Sequence, residues 1–447
     1  MRPELLKKYA APVPRYTSYP TAPHFSGAVG PATYGEWLAA LADGQRLSLY
    51  VHIPFCDQLC WYCGCTTKIT QRYEPIARYL EALLAEIDTV GARLRGRHSV
   101  EHIHWGGGSP SILSPADITR LAGRLRSAFD VPADAELAVE VDPRGLDPER
   151  VAAFAAAGVS RISIGVQDFD ERVQRAINRA QSFELTKSVI DSFRAAGVAS
   201  INIDLVYGLP YQTRASLDDT IQKVISLAPD RIALFGYAHL PTRITHQRLI
   251  PDESLPDAKE RYAQSGRAAR RLIDAGYVKI GLDHFARPTD TLATRPVHRN
   301  FQGYTSDAAP VLIGLGASSI GRLPQGYVQN AVAMAEYERR IKDAGLATAR
   351  GHAMSVDDEA RAFAIERLMC DFRFPGDELV ERFGPAAGPV LEDAAMLLES
   401  DHDGIVEQVP GSRDFLVGEQ GRMFVRSIAA CFDTYLGTRE VRHSLGV

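Results

Sequence analysis

From about residue 47 the chain alternates short, β-branched apolar runs with stretches in which apolar residues return every three or four positions. These are the two periods of strands and of amphipathic helices. LSLYVHI (47–53), VEHIHW (100–105), ELAVEV (136–141), SRISIGV (160–166), SINIDLVYG (200–208) and RIALFGY (231–237) read as strands. Residues 75–91, 115–129, 148–157, 181–196 and 215–227 read as the helices between them. Such alternation feeds a parallel sheet. A weak internal echo marks its corners: Phe154-Ala-Ala-Ala-Gly158-Val159 returns as Phe193-Arg-Ala-Ala-Gly197-Val198, and Asp274-Ala-Gly276-Tyr277 resembles both. At each corner Gly can take the left-handed conformation that ends a helix before a strand begins.

Six βα units are too few to close a barrel. The expected fold class is therefore α/β, an open partial (βα)6 TIM-like barrel with its chemistry at the C-terminal ends of the strands. Residues 1–46, punctuated by Pro and Tyr in RYTSYPTAPHF, read as an N-terminal extension covering one barrel mouth. Residues 47–325 form the barrel, and 326–447 read as a small, mainly helical C-terminal domain. Helical patterns at 334–345, 356–371 and 389–400, with a strand-like HDGIVEQV, define the latter.

With 447 residues, 23% charged and 45% hydrophobic, the chain is large enough for one α/β domain plus a smaller one and has the composition of a folded protein. A formal charge of −5 leaves no global basic excess, so nucleic acid is not an expected partner. The N-terminus lacks the apolar core of a signal peptide, and no segment stays apolar long enough to span a bilayer. No membrane contact is expected, and a cytoplasmic monomer is the expectation.

Of six cysteines, four fall between Cys56 and Cys65, whereas Cys370 and Cys431 stand alone in apolar, helical surroundings and read as structural. This is cofactor spacing and not a disulfide framework. Cys56-x3-Cys60-x2-Cys63 follows the first strand directly. Three thiolates can hold three irons of a [4Fe–4S] cluster and leave the fourth open. A zinc site generally pairs two separate Cys-x2-Cys knuckles, and the sequence has no second one. Cys65 remains a candidate additional ligand, although one tight loop supplying four thiolates would be strained.

That cysteine spacing after a first strand resembles the radical S-adenosylmethionine superfamily. RYTSYPTA, YVHIPFC, the extra Cys65, HWGGGSPS, EVDPR, GVQDF, NIDLVYGLP, YAHLPTR, DHFARP, HRNFQGYT and CFDTYL, spread over residues 15–436, narrow the resemblance to the oxygen-independent coproporphyrinogen III oxidases. The resemblance implies a [4Fe–4S] cluster on Cys56, Cys60 and Cys63 and two S-adenosylmethionine molecules per chain. It implies a 5′-deoxyadenosyl radical that removes a propionate hydrogen of coproporphyrinogen III, with loss of carbon dioxide to leave vinyl groups. An electron donor and a final acceptor, both unidentified, complete the reaction.

By the same resemblance Tyr50, Gly107, Glu140 and Ile320 would hold the cluster-bound S-adenosylmethionine, with Tyr62 packing near its adenine. Gly108, Ser109, Gln167, Arg179, Asp204 and Ala238 would hold the second. From the residues themselves, Gly106-Gly107-Gly108 after a strand lets the main chain approach a ligand, while Glu140, Gln167 and Asp204 lie near the ends of different strands. A substrate with four carboxylates needs cationic partners, and each charge-assisted hydrogen bond adds ~1.5–3 kcal/mol. Arg15, Arg243, Arg287 and Arg299 are candidates. His52, His239 and His284 read more readily as buried, hydrogen-bonded residues. The sequence departs from the family pattern at Ser109 and Ser111, where threonine is common, and at Ala180, where glutamate is common, which bears on the orientation of Arg179. Two alternatives fit parts of the pattern: a haem-binding chaperone relative, against which Cys65 and RYTSYPTA argue, and a radical enzyme acting on another substrate.

Overall fold

In the computed structural model, which describes residues 3–438, the six expected strands are present. They are β1 (Arg46–Ile53), β2 (Ser99–Gly107), β3 (Glu136–Val141), β4 (Arg161–Gln167), β5 (Ser200–Tyr207) and β6 (Arg231–Gly236). Each is followed by a helix: α1 (Glu74–Arg93), α2 (Pro115–Ala128), α3 (Pro148–Ala156), α4 (Phe183–Ala195), α5 (Arg214–Ser226) and α6 (Ala258–Asp274). Neighbouring strands from β1 to β6 pair in parallel. The helix starts follow from local chemistry. Ser114, Asp147, Ser182, Thr213 and Asp257 each cap a helix by accepting a backbone N–H in its first turn, satisfying donors that the helix leaves free.

The three glycine corners are real and alike. Gly158, Gly197 and Gly276 have φ of 84°, 90° and 90°. The amides of Val159, Val198 and Tyr277 reach back to the carbonyls of Phe154, Phe193 and Leu272 at 3.1, 3.0 and 3.1 Å, the bond that closes a helix C-terminus around a left-handed residue.

Beyond α6 come β7 (Val278–Ile280), β8 (His284–Ala286), β9 (Val311–Leu315), β10 (Ile320–Leu323), β11 (Gly326–Asn330) and β12 (Thr348–Ala353). The whole is one twelve-stranded open sheet ordered β12-β11-β10-β9-β1-β2-β3-β4-β5-β6-β8-β7. β9 returns to lie parallel to β1, so the strand leading to the cysteines is covered on both edges. The expected open (βα)6 core is thus observed, with antiparallel extensions on either flank.

The junction placed at residue 325 by sequence falls inside this sheet. β11 and β12 pair with β10 and with each other, and the intervening α7 (Met334–Ala344) packs on α1. A separate core begins with α8 (Val356–Asp371), capped by Ser355. It gathers Leu368, Phe374, Phe415 and Phe432 together with Tyr16 and Tyr19 of the N-terminal segment, and it carries a three-stranded sheet that includes Val406–Gln408. Residues 1–2 and 439–447 of the expected terminal segments lie outside the described residues. Among the described residues, no helix is long and apolar enough to cross a membrane.

One buried carboxylate joins the barrel's first helix to the loop after β9. Glu86 of α1 accepts the Gly316 amide at 2.7 Å, the Tyr337 hydroxyl at 2.7 Å and the Asn330 amide at 2.6 Å. Burial nevertheless pushes its carboxyl from 4.5 up to about 7. The folded carboxyl keeps its proton to higher pH than the unfolded one, so this contribution is complete below about pH 4.5 and is lost as pH rises through about 7. Urea unfolding across that window is expected to show a fall in stability on the order of 3 kcal/mol attributable to this group. The slope should vanish in Glu86→Gln.

Candidate functional site

The short strand Phe55–Cys56 continues from β1 and pairs with Lys68–Ile69, pinching off the cysteine loop at the C-terminal end of the sheet. Cys60 is buried, Cys56 and Cys63 are half-buried and Cys65 is exposed. The loop's carbonyls are held from outside. Asn178 donates to Leu59 O at 2.8 Å, Gln247 to Tyr62 O at 2.9 Å and His246 to Cys63 O at 2.7 Å. A loop with its carbonyls held in this way can present its thiols without reordering first.

Two guanidinium groups converge on one sulfur: Arg144 Nη2 lies 3.5 Å and Arg179 Nη1 3.4 Å from Cys60 Sγ. Arg179 is also bound to Asp142 Oδ2 at 3.3 Å and to Gly165 O at 2.5 Å, and Arg144 to Asp142 Oδ2 at 2.7 Å. Burial opposes the Asp142 charge, yet Arg179 and Arg144 outweigh it and hold the carboxyl below the usual Asp value. Burial pushes the Cys56 thiol up to about 12, whereas a hydrogen bond from Cys65 lowers Cys63 to about 7. Ala180 is exposed, so Arg179 takes its orientation from Asp142, Gly165 and Cys60 and not from its chain neighbour.

The glycine triplet stands against this loop for steric reasons. A Cβ on Gly106 would come 2.6 Å from Glu140 Oε1, one on Gly108 2.5 Å from Phe55 O, and one on Gly107, at φ 110°, would run into the His52 ring. The amides are already engaged: Gly107 donates to Glu140 Oε2 at 3.1 Å and Gly108 to Ile53 O at 2.9 Å. What the turn offers a ligand is therefore bare surface and carbonyls. Burial works against charge on Glu140, but the bonds from His104 and Gly107 bring its carboxyl below the ordinary Glu value. Asp204 accepts from Ser163 at 2.8 Å and Asn202 at 2.8 Å, and burial still raises it.

These groups share one cavity of about 650 Å³. Its lining includes Cys56, Cys60, Cys63, Cys65 and Tyr62, then Gly107, Gly108, Ser109 and Glu140, then Gln167, Arg179, Asp204 and Ala238. Tyr50 and Ile320 stand outside the lining. The Tyr50 hydroxyl meets His52 Nδ1 at 3.0 Å and its ring stacks 6.0 Å from His104; Ile320 opens β10, and its backbone lies against Gly314, the register partner of Tyr50.

Of the arginine candidates, Arg15 and Arg243 line the cavity. Arg299 instead donates to the carbonyls of Tyr16 and Arg15, both at 3.1 Å. Arg287 binds Pro229 O and Ala228 O before the start of β6, at the opposite end of the strands. His239 is tied to Tyr237 and Asp252, and His52 to Tyr50, Thr66 and Ser318; His284 reaches the cavity. Sequence reasoning passed over His104, Asp142 and Arg144. All three lie within motifs already singled out, two of them in EVDPR, where position just past a strand end was the available signal.

Residues 50–224 match the radical SAM superfamily. Along its whole length the chain is 48% identical to an oxygen-independent coproporphyrinogen III oxidase of Bradyrhizobium diazoefficiens, with all of both chains covered. The chain belongs to the oxygen-independent coproporphyrinogen III oxidase family. The Escherichia coli family member is 40% identical over 97% of this chain and 95% of its own. The solved structure of coproporphyrinogen III oxidase from Escherichia coli, a radical SAM enzyme, superposes with a TM-score of 0.90 at 39% identity, covering 94% of this chain and 98% of that one.

A radical SAM coproporphyrinogen III oxidase carries a [4Fe–4S] cluster and S-adenosylmethionine, and this donor set fits them. The cysteines do not close on one ion-sized point as Glu101, His102 and Asp307 do, whose ligand atoms lie within 4.8 Å of one another. Three thiols on one loop suit a cube with three protein-held irons, and the two guanidinium groups at Cys60 would offset the charge it brings. Gly107→Ala is expected to destabilise the fold by about 1–3 kcal/mol through backbone strain and to abolish S-adenosylmethionine binding measured by equilibrium dialysis. Gly123→Ala, on the open face of α2, should instead raise thermal stability by about 0.5–1 kcal/mol.

Proposed function

We propose that the chain performs the anaerobic oxidative decarboxylation of the two propionate side chains of coproporphyrinogen III to vinyl groups, giving protoporphyrinogen IX. The observation that carries this reading is the three-thiol loop, backed by Arg144 and Arg179, opening into a cationic cavity in a chain that matches named coproporphyrinogen III oxidases from end to end. When bound on Cys56, Cys60 and Cys63, a [4Fe–4S] cluster with S-adenosylmethionine supplies the 5′-deoxyadenosyl radical that takes a hydrogen atom from the propionate Cβ.

The chain's own residues bind and orient. Glu140, kept charged by His104 and the Gly107 amide, is placed to accept from an ammonium or ribose hydroxyl beside the cysteine loop. Gly108, Ser109, Gln167, Arg179, Asp204 and Ala238 form a further sector of the same lining, which we assign to a second S-adenosylmethionine. Tyr50 and Ile320 act one layer back, setting His52 and the strand beside it. Each propionate loses one Cβ hydrogen, carbon dioxide and one electron, so two cofactor equivalents and an external electron acceptor are required per product. The donor that reduces the cluster and the final acceptor are separate partners. Six thiols without disulfides suit the reducing interior of a cell.

Anaerobic incubation with coproporphyrinogen III, reductant and S-adenosylmethionine is expected to yield methionine, 5′-deoxyadenosine and the divinyl product, two cofactor molecules consumed per product. Cofactor cleavage with no new vinyl group would refute the substrate assignment. Cys56→Ser, Cys60→Ser and Cys63→Ser should each lose the iron retained after anaerobic reconstitution, whereas Cys370→Ser and Cys431→Ser should keep it.

A further inference from the structure

His284 is the one histidine among the three weighed from sequence that reaches the cavity with a ring nitrogen uncommitted. It lies on β8, paired with Ala233 of β6, and is itself buried. Its Nδ1 is bonded to Asp283 Oδ1 at 2.8 Å. The ring is wedged edge-on between Phe235 and Tyr304, with centroids 5.6 and 5.2 Å away and interplanar angles of 78° and 82°. Three contacts fix the ring plane and leave Nε2 without a protein partner among the described residues. Beside Nε2 lies Gly303, at φ 120°, where an added Cβ would sit 3.3 Å from it. A side chain at 303 would cover the nitrogen, and glycine leaves it open.

With Asp283 accepting from Nδ1–H, the nitrogen facing the cavity is Nε2. A proton on Nε2 makes it an N–H donor to an anion in the cavity. The other charged or titratable groups around the pair are Asp204 of β5, Tyr304, Lys279 of β7, and Arg15, Arg299 and Arg426, which act on Asp283. Arg15 also lines the cavity, its guanidinium reaching only Gly236 O at 3.3 Å. It is carried by a strap whose carbonyls are held elsewhere: Arg426 donates to Pro14 O at 3.0 Å and to Val13 O, and Arg299 to Arg15 O and Tyr16 O. The side-chain carboxylates within this set are occupied by protein partners, whereas Nε2 of His284 has none among the described residues and the Arg15 guanidinium meets a carbonyl but no carboxylate.

We propose that His284, positioned by Asp283 and accompanied by Arg15, forms a subsite that binds a carboxylate of the tetrapyrrole substrate through Nε2–H. The inference rests on the substrate class assigned above and deepens it by naming the anchor. Asp283→Asn removes the carboxylate that fixes the ring through Nδ1 and should weaken carboxylate binding.

Coproporphyrin III, the fluorescent oxidised form with the same four carboxylates, serves as the probe in fluorescence titrations of the full chain. His284→Gln, which keeps a neutral donor, should bind about tenfold more weakly than wild type, as loss of a charge-assisted bond predicts. The tetramethyl ester should bind wild type and His284→Gln alike. Asp283→Asn, with unchanged circular dichroism, should also bind more weakly than wild type. Unaltered affinity in His284→Gln, or an ester that also discriminates the two proteins, would overturn the subsite. Should wild type show the His284-dependent binding yet form no vinyl product, the reaction assignment falls and the subsite stands.

Discussion

The arrangement hinges on a buried guanidinium. Arg179 touches Cys60 Sγ, Asp142 and the Gly165 carbonyl at once, and so fastens the cysteine loop, the segment after β3 and the C-terminal end of β4 to a single cation. The loop's thiols share their cavity with Glu140, Asp142 and Asp204, and close, partly buried acidic groups repel one another. The Arg179 guanidinium sets a positive charge against two of these groups, Cys60 and Asp142. Removing one partner of such a buried set leaves the other charges uncompensated, which is why these contacts specify geometry more than they add stability. Gly165 belongs to the same arrangement: a side chain there would meet Arg179 Nη2 at 3.0 Å and Gln167 Nε2 at 2.8 Å.

How far the sequence revealed this depends on the range of each interaction. Strands β1 to β6, their helices and the three glycine corners were legible because period, caps and left-handed glycines are local signals. The residues of the cavity were legible in outline for a related reason, since strand ends in a parallel sheet all face one rim. Asp142, Arg144 and His104 offered only their place at or near a strand end, since their distant partners, Arg179, Cys60 and Glu140, are brought to them by the fold. The β11–β12 hairpin was misplaced into the helical domain. Its strands are short and mix Gly, Gln and Arg with apolar residues, and α7 between them carries the same period as the helices beyond it. Only pairing with β10 assigns it to the sheet.

Residues 13–16 show why an irregular segment can be well defined without secondary structure. Their carbonyls have no strand or helix to accept from, and buried backbone acceptors must find donors elsewhere. Arg299 from the 298–305 hairpin and Arg426 from the C-terminal unit supply them, and the Tyr16 hydroxyl is held by Asp433 at 3.0 Å. The N-terminal segment is thereby attached to the C-terminal unit at several points and meets the barrel through Arg15 at Gly236.

This mode of attachment separates two functions that a simple loop would merge. Guanidinium groups that bind carbonyls keep their full positive charge, since a carbonyl does not neutralise them. The strap is therefore fastened without neutralising the cations that hold it, and it carries Arg15 into the cavity lining. Had Asp or Glu side chains held the strap through its amides, the mouth would be acidic and would repel a polycarboxylate. The choice of donor thus links how the N-terminal segment is fixed to what the cavity can admit: Arg299 and Arg426 order the backbone, and Arg15, carried on it, adds positive charge to the cavity lining.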